Sequence, residues 1–225
     1  MTIHTEEIVE RSVVIDAGTI ALAGDLAVPA NARGIVVFAH GSGSSRHSSR
    51  NRYVAGELRQ AELGTLLMDL LTVEEERVDT RTRHLRFDIE LLADRLIGAI
   101  RWLDTQSETR GLPVGLFGAS TGGGAALVAA ARAPDRVGAV VSRGGRPDLA
   151  GDELPHVRAA TLLIVGGSDE IVIDLNEEAM RRMVAPVRLE IVSGATHLFE
   201  EPGTLEQVAR LAREWFARYL NTGTI

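Results

Sequence analysis

The sequence predicts an α/β protein: one mostly parallel, doubly wound sheet of about eight strands, with helices on both faces. Three observations lead there. From Ile35 onward, strand-sized β-branched runs take turns with longer runs of helical period. Before Ile35, two alternating runs sit close enough to form a hairpin. No Pro/Ser/Gly-rich linker or charge block divides the 225 residues, so a single domain with one sizeable core is expected.

The elements follow in order. Ile8–Ile15 and Thr19–Val28 are the hairpin strands, and Ile35–Ala39 is the first strand of the alternating series. A helix near Ser49–Ala61 leads to a strand at Thr65–Asp69, after which "EEER", Glu74 to Arg77, is read as a solvated loop. A helix over Phe87–Thr105 precedes the strand Val114–Phe117, and an Ala-rich helix spans Thr121–Ala133. Strands at Ala139–Ser142, Thr161–Val165 and Arg188–Val192 are interleaved with helices at Leu175–Met183 and Leu205–Leu220. Trp102, Trp215 and Phe216 fall on helical positions that suit core packing. In sheets of this kind ligands sit beyond the carboxyl ends of the strands, so the strand-to-helix loops are where chemistry is expected.

Composition narrows the chemistry. A net charge of −7 argues against nucleic-acid binding, which needs a basic face. All 24 basic residues are arginines, so Schiff-base and P-loop lysine chemistry are excluded. With no cysteine there is no disulfide, thiolate metal site or cysteine nucleophile, and no histidine pair has metal-ligand spacing. Apolar runs are strand-sized, so no membrane span is expected. The acidic start, MTIHTEEIVERSVV, lacks an apolar signal core, which makes the cytoplasm the default location.

The segment "PVGLFGASTGGGAALVAAA" carries the chemistry. A phosphate loop would need a lysine that the chain lacks. A dinucleotide loop should follow the first strand, whereas this one follows the fifth. What remains is Gly118-Ala119-Ser120-Thr121-Gly122, a Gly-x-Ser-x-Gly turn that lifts one serine above the sheet at a helix N-terminus. The seventh strand leads to Asp169 and the eighth to His197, so serine, acid and histidine follow in that order, each on a post-strand loop. In acyl transfer His197 would take the Ser120 proton and Asp169 would fix the imidazole tautomer. Oxyanion donors are expected from the backbone N–H of Thr121 and from the loop "FAHGSGSSRHSSRNRY", at Ser42 with Gly43 behind it. Glu170 and Asp174 are alternative acids or helix caps.

At these residues the sequence resembles the α/β-hydrolase superfamily, and within it the dienelactone-hydrolase-like branch. "HGSGSSRHSSRN", "GLFGAST", "GGSDE" and "GATHLFEEPG" carry the resemblance over about Gly34 to Leu220. It implies an α/β-hydrolase fold, no cofactor, no metal, and hydrolysis of an ester-type bond in a small molecule. Dienelactone hydrolases carry cysteine at the nucleophile position, so Ser120 shifts the expectation to a serine carboxylesterase. The same triad would also serve acyltransfer, or thioester, lactone or activated phosphotriester cleavage. A non-catalytic binding protein of this fold would usually have lost a triad member. Only about 18 residues separate Ser142 from Thr161, too few for a large cap, so the pocket should be open.

Other residues admit two roles each. His40 is expected to brace the oxyanion loop. Arg143 and Arg146, in "SRGGRPD", could hold an anionic substrate group or pair with Asp148 or Glu153. Arg143 and Gly43 are the candidate substrate-binding residues. His47, Arg50 and Asn51 either border the pocket or start a solvated helix. The sequence leaves a homodimer open.

Overall fold

The computed structural model of the chain describes residues 8–220, so the acidic start before Ile8 lies outside the described residues. Eight strands, β1 (Ile8–Asp16), β2 (Ala21–Pro29), β3 (Gly34–Ala39), β4 (Leu63–Met68), β5 (Val114–Ala119), β6 (Val137–Arg143), β7 (Ala160–Gly166) and β8 (Val187–Val192), form one sheet in the order β1-β2-β4-β3-β5-β6-β7-β8. Antiparallel pairing is confined to β1 with β2 and β2 with β4; every later pairing is parallel. The carboxyl ends of β3, β5, β6, β7 and β8 therefore point the same way and bring their loops together along one edge.

The side-chain period of two divides each inner strand between two cores. On β3, Ile35, Val37 and Ala39 pack toward α3 (Ile89–Leu103) and α4 (Thr121–Arg132). Val36 and Phe38 pack toward α1 (Ser49–Arg59) and α6 (Thr204–Tyr219). Trp102, Trp215 and Phe216 lie in these cores as expected, and Trp215 Nε1–H donates to the carbonyl of Ala160 at 3.0 Å. Small residues let α4 sink between the layers, and Thr121 to Ala130 are all buried. Between β6 and β7, short helical turns at Pro147–His156, kinked at Gly151, pack on α4. Among the described residues no helix is long and apolar enough to cross a membrane.

Two expectations are corrected. "EEER" is not a loop: it opens α2 (Val73–Thr82). Thr72 accepts from the Glu75 N–H at 3.2 Å, while Glu75 accepts from the Thr72 N–H at 2.8 Å, a reciprocal capping box that starts a helix without an apolar stripe. The fifth major helix, α5 (Glu170–Arg182), begins five residues before Leu175. The β-branched Ile171–Ile173 run hides its start, although Val172, Asn176 and Ala179 form its buried face.

Candidate active site

Ser120 joins β5 to α4 at φ 51°, ψ −122°, a conformation that non-glycine residues avoid. Flanking glycines make that bend sterically open. A Cβ on Gly118 would come within 2.4 Å of the Gly122 carbonyl oxygen, and one on Gly122 within 2.3 Å of the Ala39 carbonyl oxygen at the end of β3. Two backbone bonds then lock the turn, because the Ser120 carbonyl accepts from Gly123 N–H at 2.9 Å and from Arg146 N–H at 3.1 Å. Ser120 stands at the N-cap position, but its side chain caps nothing, so the hydroxyl is left for other partners.

Asp169 and His197 meet across the loops after β7 and β8. His197 Nδ1 lies 2.6 Å from Asp169 Oδ2. A carboxylate can only accept, so Nδ1 carries the proton and Nε2 keeps its lone pair for a proton acceptor's work. Asp169 occupies the N-cap position of α5 without using its side chain as a cap. Glu170 and Asp174, the alternative acids, are exposed on that helix. The His197 loop is closed by Glu201, which accepts from the Thr196 N–H at 3.1 Å and the Thr196 hydroxyl at 2.7 Å. These bonds hold the Glu201 carboxyl below its ordinary range. Gly144, at φ 50°, faces the imidazole closely enough that a Cβ there would lie 3.5 Å from Nδ1, a packing role the sequence did not disclose.

The loop after β3 is braced by His40. Leu70 N–H donates to His40 Nε2 at 3.2 Å, which leaves the proton on Nδ1 to donate to the Gly41 carbonyl at 3.0 Å. His40 is therefore held neutral, and burial lowers its pKa against the opposing charges of Asp69 and Glu76. Asp69 also accepts from the Arg46 N–H at 2.8 Å and pairs with the Arg46 guanidinium, tying the loop to the end of β4. Gly41 packs on the nucleophile turn, where a Cβ would be 3.1 Å from Ser120 Cβ. The Ser42 N–H donates to Thr121 Oγ1 at 3.0 Å, so in this state the expected second donor is engaged by the residue expected to supply the first.

Ser42, Ser120, Arg143 and His197 line one cavity of about 240 Å³ with Arg50 and Asn51. Gly43 is not among its walls. It lines a larger cleft of about 580 Å³ toward α2, together with His47. That larger cleft adjoins the first at Ser44 and Ser48 but is lined by none of Ser120, Asp169 and His197, whereas Ser120 and His197 both line the smaller cavity. The two arginines of "SRGGRPD" part ways: Arg146 forms a two-pronged pair with Asp148 at 2.8 and 2.7 Å, while Arg143, the last residue of β6, turns into the cavity wall. Glu153 pairs with Arg132 instead. Arg50 reaches Glu200, beyond His197, at 3.0 Å. Among the described residues no group of three His, Asp or Glu stands together as a metal site.

Residues 22–222 match the model of the dienelactone hydrolase family. The chain belongs to the dienelactone hydrolase family. A crystal structure of a dienelactone hydrolase from Anabaena variabilis superposes on this family member with a TM-score of 0.93 at 62% identity, covering 95% of this chain and 99% of that one. Est1E from Butyrivibrio proteoclasticus shares the fold at a TM-score of 0.76, with 15% identity over 92% of this chain and 98% of its own. Among curated proteins, this dienelactone hydrolase relative is 62% identical over 211 residues to a protein of Mycobacterium tuberculosis, strain H37Rv, provisionally named a phosphoribosyl transferase. The match takes in 94% of this chain and 47% of that protein, so the chain spans about half the length of the curated relatives it matches.

Proposed function

We propose that the protein is a serine hydrolase that cleaves small carboxylic esters through an acyl-Ser120 intermediate. The observation that carries this is the 2.6 Å Asp169–His197 hydrogen bond on the rim of the cavity that also holds Ser120 in its strained turn. Ser120 Oγ attacks the ester carbonyl while His197 Nε2 takes its proton, and the imidazolium that forms is stabilised by Asp169. The tetrahedral oxyanion is held by the Thr121 N–H at the head of α4, whose helix dipole has the right sign, and by the Ser42 N–H once it turns from Thr121 Oγ1. His197 then returns the proton to the leaving alkoxide, releasing the alcohol. Water, deprotonated by the same nitrogen, attacks the acyl-serine and frees the carboxylic acid and Ser120.

No step of this route calls for a metal or organic cofactor, and the substrate partner is a small-molecule ester. Phosphoribosyl transfer is left with the longer mycobacterial proteins, because the residues that align with them also match the hydrolase family over 22–222. The test is turnover of short-chain p-nitrophenyl esters by the wild type and Ser120→Ala. The variant should lose at least about 10⁴-fold in kcat. Activity that survives the substitution overturns the mechanism.

A further inference from the structure

Asn176 is fully buried in the middle of α5, where an asparagine weakens the helix and its amide is cut off from water. Its side-chain nitrogen donates to two carbonyls, that of Val172 one turn earlier at 2.7 Å and that of Gly145 in the loop after β6 at 3.1 Å. Carbonyl oxygens only accept, so the amide has a single orientation and both its N–H groups are in use. The bond to Val172 stays within the helix, but the bond to Gly145 crosses to another segment. The amide oxygen has no partner among the described residues, so the donors are what this buried polar group contributes.

Gly145 is the middle of a short segment, Gly144 to Arg146, that touches both the nucleophile and the base. On one side the Gly144 N–H donates to the Ile164 carbonyl of β7 at 2.7 Å, and a Cβ on Gly144 would lie 3.1 Å from the His197 carbonyl oxygen. On the other side the Arg146 N–H donates to the Ser120 carbonyl at 3.1 Å. Packing wedges the segment against α4 and β6: a Cβ on Gly145 would come within 1.8 Å of Ser142 Oγ, and one on Gly124 within 2.8 Å of the Arg146 carbonyl oxygen. Asn176 itself stands on the helix whose N-cap residue is Asp169. One side chain on the helix of the acid therefore holds the backbone that stands between the nucleophile turn and the histidine. We propose that Asn176 is a positioning residue that sets the spacing between Ser120 and the Asp169–His197 pair by clasping Gly145. Its catalytic consequence rests on the serine-hydrolase reading, whereas the clasp stands on hydrogen bonds and packing alone. Asn176 does not line the cavity of Ser120, so it acts through the Gly144–Arg146 backbone and not on the substrate.

The experiment compares Asn176→Leu, which keeps the approximate size without the donors, and Asn176→Ala with the wild type, each alone and combined with His197→Ala. With the clasp gone, a shift of about 1 Å between nucleophile and base should lower kcat for p-nitrophenyl acetate by about 10–100-fold. KM should stay within about twofold, because the cavity walls are untouched. In the His197→Ala background the same substitutions should change the residual rate by less than about threefold, because no base is left to misalign. Amide hydrogen exchange at Gly144 and Arg146 should quicken at least about tenfold in both variants while the amides of β7 stay protected. A folded variant whose kcat is within about threefold of wild type, or an equal loss in both backgrounds, overturns the positioning role. Failure of both variants to fold overturns it as well, because Asn176 then serves the fold alone. If the wild type turns over no ester, the hydrolase reading fails separately. The clasp is then judged by exchange: faster Gly144 and Arg146 amides in the variants uphold it, and amides as slow as in the wild type overturn it.

Discussion

Replacing Asp169 by asparagine removes one charge and keeps the shape of the side chain. The carboxylate is 17% exposed and lies 2.6 Å from His197 Nδ1. When the imidazole becomes a cation during serine attack, charge centres about 4 Å apart at an effective dielectric of about 20 interact by roughly 4 kcal/mol. Losing that interaction in the transition state alone slows acylation about 10³-fold. The amide can also present its N–H₂ to Nδ1, which draws the proton to Nε2 and removes the lone pair that Ser120 needs. That tautomer effect extends the expected loss in kcat to about 10³–10⁴-fold. Stability should hardly change, because Asp169 stands at the N-cap position of α5 without capping through its side chain, and asparagine suits that position equally well. The assay is kcat for p-nitrophenyl acetate from pH 5 to 9, with a melting curve on the same samples. A folded Asp169→Asn protein that retains more than a tenth of wild-type kcat refutes the assignment of Asp169 as the group that orients His197.

Three further outcomes are expected. In Gly122→Ala the new methyl would lie 2.3 Å from the Ala39 carbonyl oxygen, forcing about 1 Å of movement where the oxyanion loop leaves β3; stability should fall by about 1–3 kcal/mol in urea unfolding and kcat/KM by about 100-fold. His40 binds a proton less readily in the folded state than its ordinary 6.5, so its contribution is complete above that value and is lost as pH falls through it; a melting temperature that drops toward pH 5 in the wild type should drop less in His40→Gln. Arg143→Met should raise the melting temperature, by about 2–4 °C for each kcal/mol recovered, since burial and the nearby Arg50 charge pull the Arg143 guanidinium well down, to about 10, and so disfavour the folded state.

Ser120, Asp169 and His197 stood out in the sequence because each comes soon after a strand, in a loop of small residues with few side chains able to do chemistry. Strand order alone placed Ser120, Asp169 and His197 at one sheet edge, and the structure brings two of them into contact and all near one cavity. The helix α2 was missed for the opposite reason: only Asp79 of its ten residues is buried, so no apolar period marks it. Its signal was local, in the Thr72-to-Glu75 spacing of a capping box, and hydrophobic patterning does not register that. The roles of Arg143 and Arg146 could not be divided from "SRGGRPD", because the nearest acid, Asp148, is within reach of either in the chain. The bend at Gly144, with φ at 50°, decides it by sending Arg146 outward to Asp148 while Arg143 ends its strand beneath Phe199. Gly43, expected at the substrate, is carried past the cavity because the chain turns there at φ 72° toward the neighbouring cleft.

Three unfavourable terms of this fold meet around the cavity of Ser120. Ser120 sits in a left-handed conformation, Arg143 is a buried charge without a counter-ion, and the Ser42 N–H is turned to a hydroxyl where an oxyanion would bind more strongly. Away from the cavity the buried carboxylate of Asp79 is fully met, receiving Arg86 and two backbone N–H groups, whereas Asn176 donates to the carbonyls of Gly145 and Val172 but leaves its own amide oxygen unpaired. The two electrostatic terms lie where negative charge would develop in the reaction, as a site complementary to a transition state requires. An oxyanion at the Ser42 N–H would relieve one of these terms directly, whereas acylating the Ser120 hydroxyl leaves its backbone angles and their strain unchanged, so a substitution that relaxes the Ser120 turn should reduce turnover by misplacing the hydroxyl.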